Sequence, residues 1–217
     1  GRIWIGTEDG GLNCMEPDSE TFSHIAASNA FPNVHGLCID GNELWVGTFA
    51  SGLKIIDTRT HQLIKAFKAD GRPGSLRDNT IFSIARSPQG VMYLGTIRGL
   101  CTYIANTQTF VYDRAVPPVL INDVSFDSRG NLWLVTQTNG VFMRHNGRWI
   151  NFRATQSGLT SDKALSIFED SEGTIWVTTQ GGGVCRFSFS TRRFKPLQQG
   201  ALNSTSTFFR MEEDGDG

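Results

Sequence analysis

Histidines, cysteines and clustered acidic residues are where chemistry would first be sought in this sequence of 217 residues. The histidines are His24, His35, His61 and His145. None of them accompanies a recognisable serine or cysteine nucleophile motif, and neither G-x-S-x-G nor H-E-x-x-H occurs. Each histidine is therefore interpreted as an ordinary surface or strand residue, and the sequence predicts no catalytic residue and no enzyme activity.

The four cysteines show neither C-x-x-C spacing nor histidine partners, which argues against a zinc site. They are Cys14, Cys38, Cys101 and Cys185. Three of them, all except Cys38, occupy similar points of different sequence repeats, too far apart for disulfide geometry. We expect buried free thiols that pack as small hydrophobic groups.

Five segments rich in Asp and Gly loosely resemble calcium loops: 40–42, 87–90, 127–131, 170–173 and 214–217. They lack the spaced acidic ligands and the distant bidentate Glu that such a loop needs, so hairpin turns are the better interpretation. Gly181, Gly182 and Gly183 lie between two predicted strands, which favours a tight turn over a phosphate-binding loop. The sequence therefore predicts neither a metal nor a cofactor.

The elements that would position any site repeat along the whole chain. One motif occurs as RIWIGT, ELWVGT, VMYLGT, NLWLVT and TIWVTT, with its aromatic residue at positions 4, 45, 93, 133 and 176. The Leu or Val of a Gly-Leu or Gly-Val pair comes 7 or 8 residues after that aromatic, and a Phe closes each unit. The intervals between aromatic residues, 40 to 48, are typical of β-propeller blades.

Each repeat predicts four antiparallel strands, named A to D from the propeller channel outward. Strand A is expected at 34–39, 80–85, 121–126, 164–169 and near 207–211, and strand B carries the Trp or Tyr. A residue that recurs in every copy serves packing, so the strand-B aromatic is expected in the core between blades. The fold prediction is an all-β, single-domain β-propeller of five four-stranded antiparallel blades over residues 1–217.

The chain begins in a strand B and ends just past a strand A. We expect residues 207–211 to pair with residues 2–7 and close the ring, because unpaired edges invite aggregation. An open piece of a longer repeat array remains the alternative. The start, without Met or a signal-peptide pattern, also suggests a mature or excised part of a longer protein.

Propellers tend to bind ligands where the D–A and B–C loops converge, because rigid strands hold varied loop residues there. The D–A loops offer Asn33, Asn79, Asn122, Asp162 and Lys163. The B–C loops offer Glu8, Asp9, Phe49, Arg98, Gln137, Asn139 and Gln180. These twelve residues are the candidate ligand contacts, and many of them differ between repeats, as a site requires.

Composition excludes two classes of partner. The formal net charge is −1 and no long basic run occurs, which argues against nucleic acid as a main partner. No stretch approaches 18 apolar residues, so no segment of this chain is expected to span a membrane.

The order of the repeat is Leu, two residues, Asn or Asp, an apolar strand, Asp-x-x-Gly, x-Leu-Trp-x-Gly-Thr, Gly-Leu and a closing Phe. It resembles the two-component regulator propeller repeat over essentially the whole chain. The opening occurs at 75–79 and 158–162 and more weakly at 201–205, whereas the segments before Asn33 and Asn122 lack it. Tyr93 replaces Trp, and Val-Thr (135–136) and Thr-Thr (178–179) replace Gly-Thr.

The resemblance implies the extracytoplasmic, periplasmic or extracellular, sensor part of a bacterial histidine kinase, hybrid kinase or cyclic-dinucleotide enzyme. Similar proteins often respond to glycans, and homodimers through the parent receptor are implied as well. We therefore expect a non-catalytic, ligand-sensing module for a small molecule or oligosaccharide. A protein-docking or dimerisation scaffold anchored by Phe49 is the alternative. A propeller lyase or hydrolase using Glu8 or Asp9 is less favoured.

Overall fold

The computed structural model describes residues 1–17, 21–197 and 206–214. The chain divides into two compact units, Gly1–Asp113 and Arg114–Gly217. Both units are built from antiparallel sheets in which each strand pairs with its neighbour along the chain. Within the described ranges, no helix is both long enough and apolar enough to cross a membrane.

The first unit contains three sheets. The first sheet has β1 (Ile3–Gly6), β2 (Leu12–Met15) and β3 (Phe22–His24), followed by a 3₁₀ helix (Ala26–Ala30). The second sheet has β4 (Val34–Asp40), β5 (Glu43–Thr48), β6 (Leu53–Asp57) and β7 (Leu63–Phe67). The third sheet has β8 (Ile81–Arg86), β9 (Met92–Thr96), β10 (Gly99–Ile104) and β11 (Thr109–Tyr112).

The second unit contains two sheets. The fourth sheet has β12 (Ile121–Phe126), β13 (Leu132–Thr136), β14 (Val141–His145) and β15 (Arg148–Phe152), followed by α1 (Ala154–Ser157). The fifth sheet has β16 (Ala164–Glu169), β17 (Ile175–Thr179), β18 (Gly183–Ser188) and β19 (Arg193–Pro196). The predicted strands A in these sheets are confirmed at 121–126 and 164–169, as are those of the first unit to within one residue.

One part of the fold prediction is wrong. Four sheets have four strands, but the sheet of β1 to β3 has three, and residues 206–214 form no strand. The predicted strand at 207–211, and with it the pairing to residues 2–7, is therefore not shown. The predicted turn at 214–217 lies beyond the described residues except for Asp214, and the repeat opening at 201–205 lies wholly beyond them.

Hydrogen bonds hold residues 206–214 near the two ends of the segment, and not through a ladder of backbone hydrogen bonds to another strand. The Gly183 amide donates to the Ser206 carbonyl at 2.8 Å. Ser171 donates from its backbone N and from Oγ to the Glu213 carboxylate, both at 2.8 Å. A β-strand needs a neighbouring strand with which its backbone exchanges hydrogen bonds along its whole length. Because these hydrogen bonds lie near the ends of the segment, residues 206–214 keep an irregular backbone.

The Asp that opens an A–B turn holds the turn and the following Trp together. Asp127 Oδ1 accepts from the backbone N of Asn131 at 2.7 Å, and its Oδ2 accepts from Trp133 Nε1 at 2.8 Å. Asp170 accepts in the same way from Thr174 N and Trp176 Nε1, both at 2.7 Å. The Asp-x-x-Gly and Trp motifs are thus two halves of one hydrogen-bonded unit.

Two repeats of the first unit depart from this arrangement. The turn after β4 is shorter, and Asp40 instead pairs with Arg86 at 2.8 Å. As a result Trp45 Nε1 is buried without a hydrogen-bond partner among the described residues. In the next repeat Ser87 stands in place of the turn Asp and Tyr93 in place of the strand-B Trp. Ser87 Oγ accepts from the Val91 amide at 3.0 Å.

Aromatic packing joins neighbouring sheets within each unit. The ring centroids of Trp45 and Tyr103 lie 5.0 Å apart, and those of Trp133 and Phe187 also lie 5.0 Å apart. In both pairs, strand B of one sheet contacts strand C of the next. The predicted core position is confirmed for Trp45 and Trp133, which are buried. The other strand-B aromatics, Trp4, Tyr93 and Trp176, are half-buried.

The cysteines are free thiols, and all except the half-buried Cys38 are buried, as predicted. Burial raises the pKa of each of them. The effect is largest at Cys101, where desolvation raises the pKa to about 12 despite an opposing hydrogen bond from Tyr112. These thiols therefore stay protonated and unreactive near neutral pH.

We expect Asp127→Ala to lower the free energy of unfolding by about 3 kcal/mol, since buried donors lose a charged acceptor. Urea denaturation measures the loss. The matched control is Asp40→Ala, which removes a carboxylate that is 35% exposed in its ion pair and should cost less than about 1 kcal/mol. Equal losses in the two variants would show that the link to Trp133 adds no stability.

We also expect stability to fall in alkaline solution. Between the ordinary thiol pKa of 9.0 and about 12, the folded Cys101 keeps its proton while the unfolded thiol loses it. The unfolded state is therefore favoured as pH rises. Denaturation at several pH values should show a shallower alkaline decline for Cys101→Ala than for the unmodified chain. An unchanged slope would contradict the assignment, and Cys38→Ala, at a half-buried thiol, should change the slope less.

Candidate functional site

A threonine closes every B–C turn. Its hydroxyl donates to the carbonyl of the glycine that precedes or begins strand C: Thr7 to Gly11 (3.0 Å), Thr48 to Gly52 (2.7 Å), Thr96 to Gly99 (2.8 Å), Thr136 to Gly140 (2.8 Å) and Thr179 to Gly183 (3.0 Å). Gly52 has φ +79°, and a Cβ there would lie 2.1 Å from the Phe67 carbonyl oxygen. The Thr and Gly of the repeat thus fix the loop that follows strand B.

The B–C loops meet the D–A loops at one end of each sheet. The Phe49 amide donates to the Asn33 carbonyl at 3.0 Å, and the Gln180 amide donates to the Lys163 carbonyl at 2.8 Å. The Gln137 amide donates to the carbonyl of Leu120 at 3.0 Å. The structure therefore brings the predicted loop residues together sheet by sheet. Their contact with a ligand stays a prediction.

A β-bulge lies at the start of strand A in each of the four-stranded sheets. In the second sheet Val34 opposes Thr48 while Gly36 opposes Gly47, which leaves His35 without a partner in the ladder. The equivalent residues of the other sheets are Phe82, Asn122 and Leu165. A bulge re-aims the side chain of the extra residue, so these four positions stand apart from the alternation of the strand.

The bulges of the first unit create an aromatic cluster, formed by His35, Phe49 and Phe82. The ring centroids of His35 and Phe82 lie 5.0 Å apart, and those of His35 and Phe49 lie 6.1 Å apart. Phe49 is 51% exposed, His35 is exposed and Phe82 is half-buried. Rings that are both exposed and mutually supported offer a rigid apolar surface to a ligand.

Two of the predicted asparagines in this unit have structural roles. Asn33 Oδ1 accepts from the Asp9 amide at 2.8 Å, with Asp9 at φ 66°. Asn79 Oδ1 accepts from the Ala69 amide at 2.7 Å. Both side chains tie loops in place beside the aromatic cluster, which leaves their amide nitrogens as potential donors.

Glu8 and Arg98 are exposed in their B–C turns. The Arg98 amide donates to Thr96 Oγ1 at 3.0 Å, so its backbone belongs to the threonine-closed turn. In the part of the chain that the structure describes, no side-chain hydrogen bond or ring contact joins Glu8 or Arg98 to the aromatic cluster. The structure does not gather these two residues into one site with Phe49.

In the second unit the predicted polar residues interact mainly with the protein itself. Asn122 Nδ2 donates to Gln137 Oε1 at 3.1 Å and to the Ala164 carbonyl at 2.6 Å. The Asp162 carboxylate accepts from Arg153 Nε at 2.9 Å and from the Ala154 amide at 2.8 Å. Asp162 therefore anchors the loop around α1, and its charge is already compensated.

The remaining candidates of this unit differ in exposure. Lys163 and Gln180 are exposed, and their side chains have no hydrogen-bond partner among the residues described. Asn139 is half-buried and accepts from the Thr138 hydroxyl at 2.9 Å. Among the candidates predicted in this unit, Lys163 and Gln180 are thus exposed polar side chains that remain available for a ligand.

Sequence reasoning missed two members of the aromatic cluster. His35 was interpreted as an ordinary surface or strand residue, and Phe82 only as part of a strand. The strand alternation placed them correctly in strand A, but a bulge depends on pairing with strand B, which a single segment does not reveal. The usable signal was an aromatic at the second position of strand A in adjacent repeats.

Within the described residues, no group of three or more His, Cys, Asp or Glu side chains is placed to hold a metal ion. The exposed rings of the aromatic cluster suit stacking against a ligand ring, and nearby amide groups suit hydrogen bonds to hydroxyls.

Comparison with known proteins bears on both the repeat and the fold. Residues 158–181 match the family model described as the two component regulator propeller. No curated protein sequence matches the chain. Among solved structures, the extracellular domain of a hybrid two component system from B. thetaiotaomicron aligns with a TM-score of 0.79 at 22% identity. That alignment covers 100% of this chain and 30% of that protein, so the chain spans less than a third of its length.

Two further structures share the fold. Virginiamycin B lyase from Staphylococcus aureus aligns with a TM-score of 0.68 at 15% identity, over 90% of this chain and 65% of the lyase. A bacterial surface component of the type-IX secretion system of Porphyromonas gingivalis aligns with a TM-score of 0.63 at 16% identity, over 96% of this chain and 39% of that protein. Identities this low show the fold alone. The predicted repeat is confirmed at residues 158–181: the chain is an all-β repeat protein that carries a match to the two component regulator propeller family.

Proposed function

We propose that this chain is a non-catalytic, ligand-sensing module in the extracytoplasmic part of a bacterial signal-transduction receptor. Two findings support the proposal. One repeat matches the two component regulator propeller family, and the fold is shared with the extracellular domain of a hybrid two component system. A sensor of this kind needs a rigid frame that presents varied loops, which the repeated sheets and threonine-closed turns provide.

The aromatic cluster is the observation that carries the binding proposal. Phe49 is 51% exposed although its ring lies 6.1 Å from that of His35, and an exposed aromatic surface of this kind supports the proposal of an interaction site. Asn33 and Asn79 lie on the D–A loops of the same unit, where each side chain is oriented by a backbone amide. Flat rings with oriented amides beside them fit a ligand that has an apolar face and a hydroxylated rim.

An oligosaccharide meets this description. The C–H face of a sugar ring can pack on Phe49 or Phe82, while its hydroxyls accept from or donate to neighbouring side-chain amides. The second unit, taken by itself, has exposed Lys163 and Gln180 as separate polar candidates on the loops of the fifth sheet. The twelve loop residues predicted from the sequence remain the wider set of candidate contacts.

The same geometry favours sensing over catalysis. The buried thiols have raised pKa values, which makes them poor nucleophiles. The carboxylate of Asp162, one of the loop acids, is held by Arg153 and by a backbone amide. The lyase that shares the fold is 15% identical, and its activity is not carried over to this chain.

Phe49→Ala should weaken binding of the responding oligosaccharide about tenfold, because the apolar contact of a buried phenylalanine side chain is worth roughly 1.5 kcal/mol or more. Isothermal titration calorimetry against a panel of neutral oligosaccharides makes the measurement. Phe22→Ala is the matched control, since Phe22 is 56% exposed on β3 and lies outside the aromatic cluster. A panel that gives no heat with the unmodified chain, or equal weakening in both variants, would refute binding at this cluster.

A dimerisation scaffold is the second candidate, favoured by apolar residues on the outermost strands of the first unit. Leu63 and Ile64 on β7 are 45% and 44% exposed, and Val111 on β11 is also exposed. Exposed apolar residues on strand edges can pack against a second copy of the chain. If they do, sedimentation at high protein concentration should show a dimer that Ile64→Lys dissociates. A monomer at every concentration would exclude it.

A further inference from the structure

A cavity of about 650 Å³ that is open to solvent on one side lies in the second unit, at the end of the fourth sheet opposite to its B–C loop. It is lined by His145, Asn146, Arg148, Trp149, Ile150 and Arg192. The first five surround the turn from β14 to β15, which antiparallel connection places at the other end of the sheet. The volume lies within the range of small-molecule sites.

Trp149 is the one tryptophan that does not occupy the recurring strand-B position of the repeat. The other four, Trp4, Trp45, Trp133 and Trp176, occupy the strand-B position that the architecture needs in every copy. Trp149 instead lies on β15, an outermost strand, and is half-buried. Phe142 packs against its ring edge to face at 6.4 Å, and the Arg144 guanidinium lies 5.5 Å from the ring centroid. The indole is therefore a supported wall of the cavity.

The charge of the lining is positive and uncompensated. Arg148 and Arg192 are both exposed and form no ion pair within the described part of the chain. No acidic residue belongs to the described lining. Two guanidinium groups without a carboxylate partner suit an anion, because each can donate two parallel hydrogen bonds to a carboxylate or sulfate.

His145 joins the cavity to the buried core of the fourth sheet. Its Nδ1 lies 2.6 Å from Asn131 Oδ1, and Asn131 Nδ2 donates to Asp127 Oδ2 at 2.7 Å. The same oxygen accepts from Trp133 Nε1 at 2.8 Å. Asn131 and Asp127 are both buried, so this chain of hydrogen bonds fixes the imidazole at the edge of the cavity before any ligand enters.

We propose that this cavity binds an anionic ring ligand, with a sulfate or carboxylate held by Arg148 and Arg192 and an apolar ring face packed on Trp149. A sugar acid, a sulfated sugar and an aromatic acid share this chemistry. The site lies at the opposite end of its sheet from the loops proposed to bind neutral oligosaccharides, so it is a second and separate site.

The test is calorimetry on the whole chain with N-acetylglucosamine 6-sulfate and 4-hydroxybenzoate, which distinguish a sugar from an aromatic source. N-Acetylglucosamine supplies the ring without the charge, and inorganic sulfate supplies the charge without the ring. We expect at least one ring anion to bind more tightly than either of these. The double variant Arg148→Gln, Arg192→Gln should weaken that ring anion at least about tenfold, since charge-assisted hydrogen bonds are lost.

Two further variants separate the parts of the proposal. Trp149→Leu should weaken the ring anion about fivefold and leave inorganic sulfate unchanged, because only the ring contact is lost. The control for the double variant is Arg193→Gln, which removes one positive charge from an exposed neighbour that does not line the cavity. It should bind as the unmodified chain does.

Three results would overturn the proposal. The first is binding of N-acetylglucosamine as tight as that of its sulfate. The second is a loss of binding free energy in Arg193→Gln of half or more of that in the double variant, because the control removes one charge and the double variant two; such a loss would indicate attraction by net charge alone. The third is binding of inorganic sulfate as tight as that of both ring anions, which would leave Trp149 without a role. Circular dichroism of each variant shows whether its fold is intact.

Discussion

Each sheet of this chain depends on its neighbour, because a twisted four-stranded sheet has two apolar faces and cannot cover either of them by itself. The contact that solves this within each unit is aromatic: Trp45 packs on Tyr103, and Trp133 packs on Phe187, from strand B of one sheet to strand C of the next. Burial of such rings contributes more than any hydrogen bond in the sheets. The spacing of the repeat follows from it, since each copy must present the same ring at the same place.

The polar motifs of the repeat serve this packing. Asp127 and Asp170 accept from the indole of the Trp that follows, so the turn fixes the ring before the next sheet covers it. The threonine at the end of strand B fixes the opposite end of the strand through its bond to a glycine carbonyl. One strand is thus held at both ends by short-range hydrogen bonds while its face is buried by long-range packing.

The sequence allowed the strands, their order and the core aromatics to be predicted, because the landmarks that carry them are local and recur. Strand A was predicted to the residue at β12 and β16, and the turns that begin with Asp127 and Asp170 were predicted as hairpins. The failures concern pairing between segments. The strand expected at 207–211 does not form, and the bulges at His35 and Phe82 were not foreseen. Both features depend on which strand pairs with the segment and in which register, and no residue pattern within one segment encodes that pairing.

The candidate site could also be predicted only in part. The loops that carry Asn33, Phe49 and Gln180 were placed correctly at one end of their sheets, because loop position follows from strand order. Which side chains remain available did not follow, since Asn122 and Asp162 proved to be occupied by bonds to the protein. A polar loop residue can either anchor the loop or contact a ligand, and only its hydrogen-bond partners in the structure distinguish the two roles.

The bulge at the start of strand A has an evolutionary consequence. Its flanking residues are constrained, as buried Val34 and Ile81 are, but the extra residue contributes no ladder pairing and varies from His35 to Phe82, Asn122 and Leu165. Substitution at this position is therefore tolerated by the fold while it changes the chemistry displayed at the end of the sheet. Each of the four-stranded sheets carries one such adaptable position, so a lineage of these proteins can diversify in specificity without losing foldability.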